Sequence, residues 1–246
     1  MPSPEKPSTT PCVTAVMPTS GTPSRRKLAK VAIDSFRRQT YANRRMLILN
    51  HGQLPFDLPD ENISEVMVEK PATLGELRNI AFDFVTDGYI ISWDDDDWMH
   101  ESRITYQLTM ALAKNKEATI LRCYTTVAFD TGEAFVRYCT NFTCKGCCGT
   151  MLFKVREFRY PALDRREDTE LALCYLKEDQ LLTLASTPQM YVRTCHDSNT
   201  SGREHIMVVQ PKMRQALNRV EQRQVRRVLD EFVASGAIPS NPLRRA

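Results

Sequence analysis

Four consecutive carboxylates, Asp94-Asp95-Asp96-Asp97, stand between two tryptophans, Trp93 and Trp98, and follow the apolar run Tyr89-Ile90-Ile91. The run reads as a buried β-strand set off upstream by the turn pair Asp87-Gly88. Acids at a strand end cannot be buried unaided. At an effective dielectric near 20, two like charges ~4 Å apart repel by roughly 4 kcal/mol. The segment therefore calls for a cation, a set of strong donors, or open water. Hard oxygen ligands suit Mg²⁺ or Mn²⁺, with a phosphate-bearing ligand completing the shell. On an extended backbone Asp94 and Asp96 share a face about 6.6 Å apart, two strand rises. The blander readings are a solvated acidic turn or a calcium site without catalysis.

Other residues carry chemistry at a distance. Asp168, with Glu167 beside it, opens a helical segment, where a carboxylate serves either as a general base or as a partner of the helix dipole. Arg78 can answer a diphosphate, or make a structural salt bridge. Cys139, Cys144, Cys147 and Cys148 give one CxxC and an extra pair, so zinc competes with free thiols on the wall of a site.

These residues need a scaffold. A chain of 246 residues with 42% hydrophobic and 26% charged residues fits one large soluble core, or a core with an appendage. No apolar run reaches a membrane span, and residues 1–11, with four prolines, lack a signal peptide's apolar centre and read as a disordered lead-in. The expected setting is cytoplasmic, which suits eight reduced cysteines. From Arg203 onward nine Lys and Arg face four Asp and Glu, a net of +5; a total of +3 leaves −2 for the rest. A basic tail suggests a polyanionic partner, or simply a solvated face.

Strands are expected over 13–17, 46–49, 64–68 and 89–92. Helices are expected around Leu28, Ala32 and Phe36, and through 74–84. This β-α-β-β-α-β order implies a largely parallel sheet with helices on its faces. Beyond Trp98 the pattern predicts a helix through Ile104, Leu108 and Leu112 capped by Glu101 or Ser102. A hairpin of 119–129 with 134–139 follows, then a strand over 149–153 and a helix over 164–177. Extended chain over 181–192 and one long helix over 211–233 complete the pattern. On that last helix, Met213, Leu217, Val220, Val228, Leu229 and Phe232 oppose Arg214, Arg219, Arg223, Arg226 and Arg227.

In this order the motifs resemble the family-2 glycosyltransferases of GT-A fold, from about Val13 to Gly202. VTAVMPTS (13–20) resembles that family's first strand and donor loop, Gln39-Thr40-Tyr41 the end of its first helix, and Gly75-Glu76-Leu77-Arg78-Asn79 its Arg-Asn helix start. ISWDDDDW (91–98) resembles its metal-binding strand end, and Gly149–Phe153 its acceptor-side strand. Arg166–Glu170 and YVRTCHDSNTS (191–201) resemble the late Glu-Asp helix start and the Arg…His…Asn-Thr-Ser segment.

The resemblance implies an α/β, GT-A-like fold with a donor half over 12–98, an acceptor half over 99–202, and a basic helical extension over 203–246. It implies metal-dependent, inverting transfer of a sugar from a nucleotide-sugar, with a UDP-sugar expected. Asp96 would bind Mn²⁺ or Mg²⁺, joined by His196. Asp94 would hold the ribose or a water on the metal, with Asp95 beside it. Pro18, Thr19, Ser20 and Arg78 would hold the donor, and Asp168 would act as base with Glu167 orienting. The family's usual base-contacting aspartate is Asn50 here, which offers both donor and acceptor.

The acceptor is a saccharide, another hydroxyl, or a hydroxymethylated base of DNA with Trp98, Tyr124 and Tyr138 as stacking surfaces. Two other readings compete. A nucleotidyltransferase would want a Gly-rich loop after the first strand, and PTSGTPSRRK holds a single Gly. A non-catalytic binding module would have no need to keep Asp94, Asp96, Asp168 and His196.

Overall fold

A computed structural model describes residues 10–69, 73–139, 143–185, 188–199 and 201–244. Most of the expected lead-in lies outside them. The strands, in chain order, are β1 (Val13–Thr19), β2 (Arg44–Asn50), β3 (Ile63–Met67), β4 (Tyr89–Ser92), β5 (Trp98–Met99) and β6 (Ala118–Leu121). They continue with β7 (Cys123–Ala128), β8 (Ala134–Tyr138), β9 (Cys147–Lys154), β10 (Leu181–Leu184), β11 (Tyr191–Cys195) and β12 (Arg214–Gln215). The helices are α1 (Pro23–Arg37), α2 (Leu74–Asn79), α3 (Ala81–Phe84), α4 (Arg103–Ala113), α5 (Glu167–Lys177), α6 (Arg203–Met207) and α7 (Arg219–Ala234).

Seven strands form the central sheet, in the order β10-β6-β9-β4-β1-β2-β3. Four of its pairings are parallel; only β9 runs against its neighbours. The mostly parallel α/β architecture expected from the sequence is the one observed. A core of Phe36, Trp93, Ile104 and Leu108 lies on one face of the sheet, under α1 and α4. Leu77, Phe82, Leu171 and Tyr175 cover the other, from α2, α3 and α5. Burial on both faces is why these strands are continuous apolar runs and not alternating ones.

A second sheet, β12-β8-β7-β11-β5, stands beside the first. The chain passes from central strand β4 to edge strand β5 through residues 93–97. The acidic run is thus the bend joining two sheets. Asp95 and Asp96 lie in a turn, so the extended spacing expected of Asp94 and Asp96 does not hold.

Several expected elements are divided. The 74–84 helix breaks at Asn79, whose side chain is captured by the Tyr160 backbone through Nδ2 to O (2.8 Å) and Oδ1 from N (2.9 Å). The 119–129 strand splits between the two sheets at Arg122, and 181–192 is interrupted by a short helical turn at Pro188–Met190. Helix α4 does start after Ser102, but no side chain caps it. The long helix expected from 211 begins only at Arg219. There Asn218 Oδ1 accepts the N–H groups of Val220 and Glu221, and Glu221 Oε2 accepts the Asn218 N–H. Upstream, Arg214–Gln215 pair with β8 instead. Val225, Val228, Leu229 and Phe232 bury α7 against Leu28 and Val31 of α1, while Val220 is exposed. Arg219, Arg223, Arg226 and Arg227 are exposed, as the periodicity implied. Among the described residues no helix is long and apolar enough to cross a membrane.

Candidate active site

A cavity of about 1080 Å³ opens where the carboxyl ends of β1 and β4 meet the second sheet and the start of α5. Ligands in open α/β sheets bind at such strand ends. Pro18, Thr19 and Ser20 form one wall. Gly21 turns the chain there with φ +59°, and a Cβ on it would lie 2.4 Å from Asn50 Oδ1. Only glycine lets the loops after β1 and β2 pack this closely. Thr22 then caps α1, and Pro23 opens it.

This helix start aims Arg25 at the acidic turn. Its Nε and Nη2 donate to the two oxygens of Asp95 at 3.2 and 2.5 Å, and Nη1 donates to Asp96 Oδ2 at 2.8 Å. Asp96 Oδ2 also meets His196 Nε2 at 3.2 Å and the Asn199 amide at 3.1 Å. Burial opposes the Asp96 charge, but His196 and Arg25 outweigh it and hold this carboxyl well below the usual range. Burial next to that charge raises Asp95 to about 7, with Arg25 opposing.

Asp97 is spent on structure. It accepts the Thr194 N–H at 2.7 Å and the Tyr191 hydroxyl, tying the turn to β11. Asp94 faces the other way, accepting from Arg78 Nη2 at 3.2 Å and from the Tyr191 hydroxyl at 3.2 Å. Behind the turn, fully buried Arg103 donates to the Ser92 carbonyl at 3.0 Å and lies over the rings of Trp93 and Tyr191.

Across the cavity, α5 presents Glu167 and Asp168 in its first turn. Glu167 is buried, 3.5 Å from Arg78 Nε, and burial raises its carboxyl above the usual value. Asp168 is half-buried on the cavity wall and is bordered by Gly149 of β9, where a Cβ would lie 3.4 Å from Asp168 Oδ2, an ordinary contact. Arg78 thus spans the two acidic groups. Its α2 helix is seated by Gly75, where a Cβ would fall 1.9 Å from the Pro161 carbonyl oxygen.

Of the residues singled out in the sequence, Pro18, Thr19, Ser20, Arg78, Asp94, Asp95, Asp96, Glu167 and Asp168 line this one cavity, and His196 touches Asp96 from outside its wall. Asn50 lies beneath the wall. Its amide donates to the Leu54 carbonyl and to Glu65, and its oxygen accepts from Gly52, so His51 lines the cavity in its place. The three expected metal ligands are not preassembled. Among the described residues no three His, Cys, Asp or Glu side chains gather closely enough to hold a metal ion, because Asp94 is drawn to Arg78 and Tyr191. The donor types still suit Mn²⁺ or Mg²⁺, and Asp96 Oδ1 accepts no hydrogen bond from the described residues while Oδ2 takes three partners.

The same finding removes zinc from the cysteines as they stand. Cys144 and Cys148 form one thiol pair, Sγ to Sγ 3.1 Å, and Cys139 hydrogen-bonds with Cys147 in another. Trp98 is no stacking platform either: it is buried under α7 and donates Nε1 to Glu231 at 3.0 Å. Tyr124 is buried, and Tyr138 donates to Gln215 at 2.9 Å.

Arg25 and Arg137 are cavity residues that sequence reading passed over, and Tyr191 and Arg193, which lie in the late motif, also line the cavity although they were given no role. The Arg25-Arg26-Lys27 run at a helix start just after a strand loop was a legible signal for the first. The others depend on the second sheet.

No family model matches the chain, and no curated protein matches it. Solved structures match it by fold. S. aureus TarS superposes with a TM-score of 0.57 at 13% identity, over 74% of this chain and 36% of that one, so the chain spans about a third of TarS. TarS 1-349 in complex with UDP-GlcNAc gives 0.56 at 11% identity, over 95% and 69% of the two chains. The mannosyltransferase PcManGT from Pyrobaculum calidifontis, in complex with GDP-Man and Mn²⁺, gives 0.52 at 14%, over 93% and 75%. At such identities the shared property is the GT-A-like fold.

Proposed function

We propose that the chain is a nucleotide-sugar-dependent glycosyltransferase of the family-2 type, acting with inversion on an acceptor hydroxyl. The carrying observation is that the β1 loop, the acidic turn, Arg78 and Asp168 face one cavity although they lie up to 150 residues apart in sequence. Supporting it, structures of the same fold hold UDP-GlcNAc, or GDP-Man with Mn²⁺. A UDP-sugar is the donor this reading favours.

In this reading the donor diphosphate lies between Pro18–Ser20 and the acidic turn. Arg78 and Arg25 supply cationic donors to a leaving group whose negative charge grows in the transition state. A divalent cation, Mn²⁺ or Mg²⁺, would be held by Asp96, Asp94 and His196 and would supply further positive charge there. Asp168 takes the acceptor proton as the acceptor oxygen bonds to the anomeric carbon and the bond to the diphosphate breaks. Glu167 keeps Arg78 in place, 3.5 Å away.

Calorimetric titration with UDP, UDP-glucose and other nucleotide-sugars, with and without Mn²⁺, tests this. Metal-enhanced binding that is lost in Asp96→Ala is expected. A folded protein that binds no nucleotide-sugar with metal present overturns the reading.

A second acceptor reading, hydroxymethylated DNA, draws on the exposed arginines of α7. Gel-shift of duplex DNA that disappears on neutralising Arg223, Arg226 and Arg227 would support it, and no DNA affinity at low salt would remove it.

A further inference from the structure

Two arginines of the second sheet remain after the donor chemistry is assigned. Arg137 of β8 stands opposite Tyr124 of β7, and Arg193 of β11 stands opposite Thr126. Tyr124 and Thr126 are two residues apart, so both arginines stand on one face of the sheet. That face is a wall of the cavity. The charges of the donor side are matched. Arg25 takes Asp95 and Asp96, Arg78 takes Asp94 and Glu167, and Asp97 is held by Tyr191 and Thr194. Among the described residues neither Arg137 nor Arg193 has a carboxylate within ion-pair distance. Arg137 is 6% exposed; its Nη1 donates to the carbonyls of His205 and Ile206, and its Nε is buried with no partner among the described residues.

An arginine guanidinium stays protonated in a protein, so Arg193 gives the cavity a fixed cation. Cys139, two residues after Arg137, hydrogen-bonds with Cys147, two residues before Gly149, and Gly149 borders Asp168, so this wall lies on the side of the proposed base. A buried guanidinium without a carboxylate is costly to maintain unless an anion completes it. Its fork of donors matches phosphate oxygens.

We propose that Arg137 and Arg193 form an anion subsite on the acceptor side that holds a phosphate group of the acceptor, so that the substrate class is a phosphate-bearing hydroxyl compound. This rests on the glycosyltransferase reading, with Asp168 on the acceptor side.

The test uses the full chain saturated with UDP and Mn²⁺, which fills the donor side, titrated with glycerol 3-phosphate and, separately, with glycerol. Binding of glycerol 3-phosphate and not of glycerol is expected. Arg193→Gln should weaken it about 10- to 100-fold, the loss of a charge-assisted contact, with UDP affinity unchanged. Arg193→Lys should restore part of it. Arg137→Gln, checked by thermal melting because it also loosens its contacts to 205–206, should act in the same direction. Two results overturn the subsite: no glycerol 3-phosphate binding to the UDP-bound protein, or Arg193→Gln weakening UDP as much as glycerol 3-phosphate, which would assign this arginine to the donor. If UDP itself does not bind, the glycosyltransferase reading fails instead. Arg193-dependent binding of glycerol 3-phosphate would then still establish the anion site.

Discussion

Arg25 and the Asn199 amide converge on the same oxygen of Asp96, Oδ2, at 2.8 and 3.1 Å. The carboxylate at the centre of the acidic run is therefore already matched by a built-in cation, and a divalent ion must share it with Arg25. Removing Arg25 leaves Asp95 and Asp96 buried together without their counter-charge. In Arg25→Ala, Mn²⁺ affinity is expected to rise about tenfold while UDP affinity falls. Paramagnetic-resonance titration of Mn²⁺ reads the first and calorimetry the second. An unchanged Mn²⁺ affinity would show that Arg25 and the metal do not share Asp96.

Asp168 lies on the cavity wall beside Gly149, apart from the donor loop. Asp168→Asn is expected to reduce turnover about 10²- to 10⁴-fold, the range of a general base, with UDP-sugar affinity intact. The slow release of UDP by hydrolysis gives an assay before an acceptor is known. Equal loss of binding and turnover would move Asp168 to the donor side.

Asp97 joins the turn to β11 through the Thr194 N–H and the Tyr191 hydroxyl. Asp97→Ala strands the Thr194 N–H and leaves the Tyr191 hydroxyl only its contact to Asp94, and should cost about 1–3 kcal/mol, the range for a buried donor left without its acceptor. Urea unfolding measures this, and Asp97→Asn should lose less because its oxygen still accepts one bond.

Gly75 sits where a Cβ would meet the Pro161 carbonyl at 1.9 Å. Gly75→Ala must push α2 away from the segment that leads into α5, at about 1–3 kcal/mol. Because α2 carries Arg78, donor affinity should fall along with stability. A variant that melts early but binds UDP normally would separate Arg78 from donor binding.

Cys144 and Cys148 face each other at 3.1 Å, and the hydrogen bond from Cys148 lowers the Cys144 thiol to about 7. Diamide should join them, two thiols giving up two hydrogens to the diazene, at a rate that climbs as pH rises through about 7, since the thiolate is the attacking form. Peptide mapping identifies the bond, and Cys148→Ser removes it.

The fold and much of the site were legible in the sequence because they rest on local patterns. Apolar runs that end in Pro-Thr-Ser or in four acids specify strands buried on both faces, with polar ends that need a ligand or partners. The helix period was legible too, but its start was not: the helix expected from 211 begins at Arg219, where Asn218 caps it. The order of those elements implied a mostly parallel sheet, and the GT-A-like fold is the one observed.

What the sequence left open depends on contacts between distant segments. Four adjacent aspartates look alike in the chain, yet a bend between two sheets sends them to different partners. Asp95 and Asp96 go to Arg25, Asp94 to Arg78, and Asp97 to β11. Asn50 was read as a ligand contact because loop position does not show which way a side chain turns, and its amide serves its own loop. Arg137 and Arg193 lie 56 positions apart and meet the cavity only because β8 and β11 both pair with β7. Periodicity reports which residues are buried or polar. Which charge each polar residue faces is decided only when the second sheet closes against the first.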